Sequence, residues 1–238
     1  GREALRGLYR QYLEIGRSAD LPMLIGTPTW RANAARVRQA GLGGTDVNGD
    51  AVTFLASIRG TCESYGCQVI LAGMLGCAGD AYRPETGLPE DEATVFHRPQ
   101  AQALAAAGAD CLLAATLPHL GEARGIARVM AACGIPYLLS FIVRPDGALL
   151  DGTPLSDAVA SIDAAIAPAP LCYLVNCVHP RHFESALQSQ GDLRMVRDRV
   201  IGLQANASAK SPEELEGSPE IDADPPEALA DAMLRLHR

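Results

Sequence analysis

No G-x-G-x-x-G loop follows any strand-like run in this sequence, and no Cys-x-x-Cys pair occurs. The first absence leaves a dinucleotide-binding sheet without support, because that fold needs glycines where the backbone meets the pyrophosphate. The second removes the usual spacing of a local zinc site. Long apolar runs are missing too: none approaches the roughly 20 residues that span a bilayer. Nor does a basic n-region with an apolar h-region open the chain, which starts with the charged, helical-looking "GREALRGLYRQYLEIG". A cytoplasmic location without a membrane partner is expected. Positive charge is in deficit, with 20 Lys and Arg against 28 Asp and Glu. That balance argues against a nucleic-acid or anionic-membrane surface. The seven cysteines are odd in number, which argues against a disulfide framework, and most are expected to be small core residues.

What the chain does have is alternation. Short apolar runs at Met23–Gly26, Gln68–Ala72, Cys111–Ala115, Tyr137–Ile142, Cys172–Val175 and Val200–Leu203 lack polar alternation, as parallel strands buried on both faces do. Between them lie helical stretches such as Asp91–Ala107, Leu120–Cys133, Leu155–Ile166 and Pro180–Gln188. Ala107-Gly108 and Cys133-Gly134 read as helix C-caps. Repeated β-α units imply a parallel sheet. The expected fold is α/β, a (β/α)8 TIM-type barrel forming one domain over residues 1–238, with its first and last strands outside these residues. The chain length suits such a barrel.

Polar residues gather just after the strand-like runs: Thr27, Thr29 and Trp30, then Asp80 and Tyr82, Thr116, Arg144, Asn176 and Cys177, and last Asn206 and Ser208. Barrel enzymes build their sites at these strand ends. Taken singly, such residues serve equally well as helix N-caps. The segment "NCVHPRHF" has three readings. Cys177 is a core thiol, or it joins His179 and His182 in a local metal site, or it is one ligand of a site completed from elsewhere. The second is the weakest, because Pro180 splits the histidines and the spacing is not that of a zinc motif.

The stretches "LIGTPTWRAN" (Leu24–Asn33), "LAGMLGCAGDAY" (Leu71–Tyr82), "AGADCLLAATLPHLGEA" (Ala107–Ala123), "YLVNCVHP" (Tyr173–Pro180) and "GLQANASAKSPEEL" (Gly202–Leu215) occur in order along nearly the whole chain. In this the sequence resembles the homocysteine S-methyltransferase family, the barrel shared with betaine–homocysteine methyltransferase and the homocysteine module of methionine synthase. The resemblance implies that Cys177 is a Zn2+ ligand and that two further Cys ligands, an adjacent pair, lie beyond Arg238. It implies a small-molecule thiol and a small methyl donor as partners, with S-methylmethionine, S-adenosylmethionine or a betaine as donor. Homo-oligomerisation stays open. It also places Asn206 beside the metal, Asn176 at the turn before the ligand, and the Thr27 and Thr29 hydroxyls near the amino acid. Asp80 and Tyr82 fall in a rim loop, and Trp30 walls the pocket or packs beneath it.

The chemistry is coherent. A free thiol has a pKa of about 8.5 and is a poor nucleophile at neutral pH, whereas a thiol coordinated to zinc is deprotonated. One departure stands out. Many members carry Glu-Thr after the corresponding strand, where the Glu is expected to meet the substrate ammonium; this chain has Ala115-Thr116. Losing that group removes a charge-assisted hydrogen bond of about 1.5–3 kcal/mol, so homocysteine is bound differently or another thiol is the acceptor. Two other readings stay open: a lyase or hydrolase using Asp80 or Arg144, and a thiol- or zinc-binding barrel without catalysis.

Overall fold

The computed structural model describes residues 1–188, 193–210, 212–215 and 218–236. The chain begins with helix α1 (Arg2–Ser18) and strand β1 (Met23–Gly26), then α2 (Ala34–Gln39), α3 (Val47–Arg59) and β2 (Val69–Leu75). Next come α4 (Glu90–Ala106), β3 (Cys111–Leu117), α5 (Leu120–Ala131), β4 (Tyr137–Phe141), α6 (Leu155–Ala165) and β5 (Cys172–Val178). The last elements are α7 (Pro180–Gln188), α8 (Leu193–Arg199), β6 (Val200–Ala205), α9 (Pro212–Leu215) and α10 (Pro226–Leu236). The strands form one sheet in chain order, β1 to β6, and every pairing is parallel. The sheet is curled, as six consecutive units of a (β/α)8 barrel would be. Among the described residues no helix is long and apolar enough to cross a membrane.

Both faces of the central strands are apolar, for two different reasons. Leu112, Ala114, Tyr137, Leu139, Tyr173 and Val175 pack against helices in the large core. Their neighbours Ala72, Cys111, Leu113, Leu138 and Cys172 form a second small cluster on the opposite face. Every residue of β3 and β4 is buried, which is why the sequence shows no polar alternation there. The helices follow their caps. Asn33 and Asp46 accept from the backbone N–H of Arg36 and Gly49 and so start α2 and α3. Gly108 and Gly134 take positive φ of 91° and 73° just after α4 and α5, conformations that glycine adopts at no steric cost.

The strands run further than their apolar runs suggested. β3 continues through Thr116 to Leu117, and β5 through Asn176 and Cys177 to Val178. The expectation that Thr116, Asn176 and Cys177 follow their strands is therefore corrected. Polar side chains continue these strands in the interior because they satisfy one another across the sheet.

Candidate functional site

Besides a slip between Tyr173 and Leu174 early in β5, the register slips near the C-terminal strand ends, between Ala114 and Leu117 in β3 and between Asn176 and Val178 in β5. At these irregularities Thr116 and Cys177 take positive φ, 62° and 57°. Left-handed backbone at a β-branched residue is an outlier, and such strain costs about 1–3 kcal/mol per residue and gathers at working sites. The bulges re-aim the two side chains toward one place at the C-terminal end of the sheet.

One amide holds that place together. Asn176 Oδ1 accepts from the Thr116 N–H at 3.0 Å and from the Ser140 hydroxyl at 2.6 Å. Its Nδ2 donates to Thr116 Oγ1 at 2.8 Å and to Cys177 Sγ at 3.1 Å. Two donor hydrogens and two acceptor lone pairs are all used, and β3, β4 and β5 are tied at the level of the thiol. Asn206 adds a backbone contact: its Nδ2 donates to the Cys177 carbonyl at 3.3 Å, and its N–H to the Val178 carbonyl at 3.1 Å. It thus buttresses the bulge from β6. Replacing Asn176 by Ala leaves the Thr116 N–H and the Ser140 hydroxyl without their acceptor. At about 1–3 kcal/mol per buried unsatisfied group, a loss of roughly 2–4 kcal/mol is expected by urea unfolding; a loss below about 0.5 kcal/mol would contradict this network.

Cys177 differs from the core thiols. Burial pushes Cys77 and Cys111 up to about 11 and raises Cys133 and Cys172 as well. These are inert, space-filling residues. Cys177 is half-buried and lines two cavities. The larger, about 360 Å3, is walled by Trp30, Met74, Tyr82, Thr116, Asn176 and Gln204, among others, and no charged side chain lines it. The smaller, about 110 Å3, lies toward Arg144, His182 and Lys210. Tyr82 lines both. Burial first, then the neighbouring Cys177 thiol and Asp80, push its phenol up to about 12. It keeps its proton at ordinary pH and can donate a hydrogen bond into the site.

The remaining expected residues fall in different places. Trp30 walls the larger cavity and donates from Nε1 to the Ala115 carbonyl at 2.9 Å, while the Arg31 guanidinium covers its ring at 4.5 Å. The Thr27 and Thr29 hydroxyls are 2.6 Å apart. They close a circuit on one residue, with the Met74 N–H donating to Thr27 and Thr29 donating to the Met74 carbonyl, each at 2.8 Å. Both threonines are buried and neither lines the two cavities at Cys177. Asp80 Oδ1 accepts from the Tyr82 N–H at 3.0 Å and so shapes the rim loop. His179 is buried, its Nδ1 accepting from the Arg181 N–H and its Nε2 lying 3.1 Å from Asp224. Arg144, the alternative catalytic candidate, lies on the smaller cavity.

Sequence reasoning passed over Ser140, the one polar side chain within β4, and Glu122. The latter is 1% exposed on α5. It accepts from the N–H groups of Ala78 and Leu88 at 2.7 and 3.3 Å and meets His97 Nε2 at 2.8 Å. In this way it pins the rim loop that carries Tyr82. A single acid among the apolar buried residues of α5 was the available signal.

A parallel, curled β/α sheet with a strained, solvent-reachable thiol at its C-terminal strand ends defines a barrel protein of the kind whose sites lie at that face. The sequence pattern of homocysteine S-methyltransferases matches residues 2–235, and the chain belongs to that family. It is 35% identical over 111 residues to homocysteine S-methyltransferase YbgG of Bacillus subtilis, covering 46% of this chain and 35% of that protein. It is 33% identical over 127 residues to the homocysteine S-methyltransferase of Escherichia coli, covering 50% of this chain and 40% of that one. The aligned stretches thus span well under half of either relative. The structure is similar to the metallated form of the homocysteine methyltransferase MmuM of Escherichia coli, with a TM-score of 0.68 at 25% identity, over 86% of this chain and 79% of that one. The oxidized form of MmuM gives a TM-score of 0.71 at 22% identity over the whole of this chain and 85% of that one.

Proposed function

We propose that the protein transfers a methyl group from a small onium donor to the thiol of homocysteine, giving methionine, with Cys177 as one ligand of a zinc ion. It does so as a single barrel domain in the cytoplasm. The observation that carries this reading is the placement of Cys177 Sγ, half-buried between two cavities on a strained turn and held by the Asn176 amide. Among the described residues no group of three or more His, Cys, Asp and Glu side chains could hold a metal ion. The side chains present fit one thiolate ligand and no more. On the family resemblance, the other two ligands would be a Cys-Cys pair outside residues 1–238. Zinc bound there would draw the proton from a coordinating substrate thiol and leave it nucleophilic at neutral pH.

The chain's own residues supply the setting. Trp30 and Tyr82 wall the larger cavity and limit water there, which strengthens the electrostatic interactions inside it. The protonated Tyr82 phenol offers a donor beside the sulfur. Ala115, in place of a carboxylate, leaves that cavity without a charged side chain, so a substrate ammonium there is met by uncharged acceptors.

The test is methyl transfer to homocysteine by the full-length protein with S-methylmethionine, S-adenosylmethionine and a betaine as donors, with and without a chelator. Transfer from at least one donor, abolished by the chelator and restored by zinc, is expected. Turnover of another kind that survives chelation would favour lyase or hydrolase chemistry, and tight thiol binding without transfer a binding barrel.

A further inference from the structure

We propose that the smaller recess beside Cys177 binds the carboxylate of an amino-acid substrate, with Arg144 as its principal anchor. The proposal rests on the methyl-transfer reading above and adds to it the substrate group that this part of the site selects. Three separate segments bring basic side chains to the recess: Arg144 after β4, His182 on α7 and Lys210 after β6. Among the described residues no Asp or Glu lines it, although acids outnumber bases 28 to 20 in the chain. Two nearby carboxylates are each paired with a basic side chain. Asp222 lies 2.9 Å from Lys210 Nζ, and Asp224 lies 3.1 Å from His179 Nε2. Lys210 is therefore already bridged, and Arg144 carries the larger share of the attraction. A guanidinium also matches a carboxylate in two-point geometry, which an ammonium does not.

Size and position agree with that assignment. About 110 Å3 is a few waters' worth of space, at about 30 Å3 each. It has room for a carboxylate with its α-carbon. The larger cavity has no charged side chain on its wall, so a carboxylate placed there would lose hydration without a charged partner. Cys177 and Tyr82 line both spaces. A sulfur beside Cys177 can therefore be joined by a short carbon chain to a carboxylate in the recess. Homocysteine and S-methylmethionine both have that form, one as acceptor and one as donor.

The experiment is equilibrium calorimetry on the full-length protein and its Arg144→Gln and Arg144→Lys variants. The probes are L-homocysteine and S-methyl-L-methionine, each beside its analogue lacking the carboxylate, 3-aminopropane-1-thiol and (3-aminopropyl)dimethylsulfonium. For at least one amino acid, Arg144→Gln should weaken binding by about 10- to 100-fold, the loss of one charge-assisted hydrogen bond. Its decarboxylated analogue should bind as before, and Arg144→Lys should recover part of the loss. Which amino acid is affected tells whether the acceptor or the donor occupies the recess. Unchanged binding of both amino acids, equal loss for an amino acid and its analogue, or no binding of either amino acid to the unaltered protein would each overturn the proposal. Binding is read without turnover, so the two readings fail separately. Arg144-dependent binding without methyl transfer refutes only the activity. Transfer with binding indifferent to Arg144 refutes only the recess.

Discussion

Cys177→Gly is expected to make the protein more stable and inactive. At φ 57° the cysteine sits in left-handed backbone, where a residue with a Cβ is strained and glycine is not. Relieving strain of about 1–3 kcal/mol should outweigh the loss of the Asn176 Nδ2 contact to Sγ and the greater chain entropy of glycine, a net gain of up to about 1 kcal/mol. Removing a metal-binding thiol costs several kcal/mol of transition-state stabilisation, which is about a thousandfold or more in rate. Cys177→Ala shares the loss of activity, keeps the strain and loses the Asn176 contact to Sγ, so it should be somewhat less stable than the unaltered chain. Denaturant midpoints and transfer rates measured on both variants check the two signs together. A glycine variant less stable than the alanine variant would show that the turn is not strained. Activity within tenfold of the unaltered protein would remove Cys177 from the chemistry. Opposed effects on stability and rate mark a residue kept for function at a structural cost.

The second large effect is structural. Glu122→Ala should cost about 3–5 kcal/mol, as breaking a buried pair does when one partner is removed. The buried carboxyl is the acceptor for Ala78 and Leu88 of the rim loop and the partner of His97, itself 1% exposed. Each donor left without it in the interior costs about 1–3 kcal/mol, and the weaker contact to Leu88 keeps the sum in the lower part of that range. Against a typical total of about 5–15 kcal/mol this is a large fraction. Glu122→Gln keeps one acceptor and should cost less. The urea midpoint should fall with an unchanged slope; a fall equivalent to under about 1 kcal/mol would mean the loop is held by other contacts.

The sheet was legible because its central strands are apolar on both faces, a local property. All six runs became strands, and Gly108 and Gly134 ended their helices as read. The strand ends were not legible. Thr116, Asn176 and Cys177 extend β3 and β5 only because Asn176 and Ser140, distant in sequence, satisfy each other across the sheet. Helix α3 escaped notice because Ala51, Val52, Phe54, Leu55 and Ile58 are all buried, which blurs the helical period, although Asp46 was a capping signal.

In the site, Cys177 and Asn176 stood out through the company of "VNC" and "ANAS". Trp30 lines the larger cavity and donates to the Ala115 carbonyl. Thr27 and Thr29 carried the right chemistry for substrate contact, yet their hydroxyls close on Met74, a pairing between β1 and β2 that no local pattern announces. Glu122 and His97 lie 25 residues apart, and only the packing of α4 on α5 brings them together.

The most direct test of the account is the zinc content of the full-length protein before and after Cys177→Ala, with methyl transfer to homocysteine measured on the same samples. The account predicts about one zinc per chain in the unaltered protein, and metal and transfer lost together in the variant. A variant that keeps its zinc and transfers methyl groups at the original rate would contradict it.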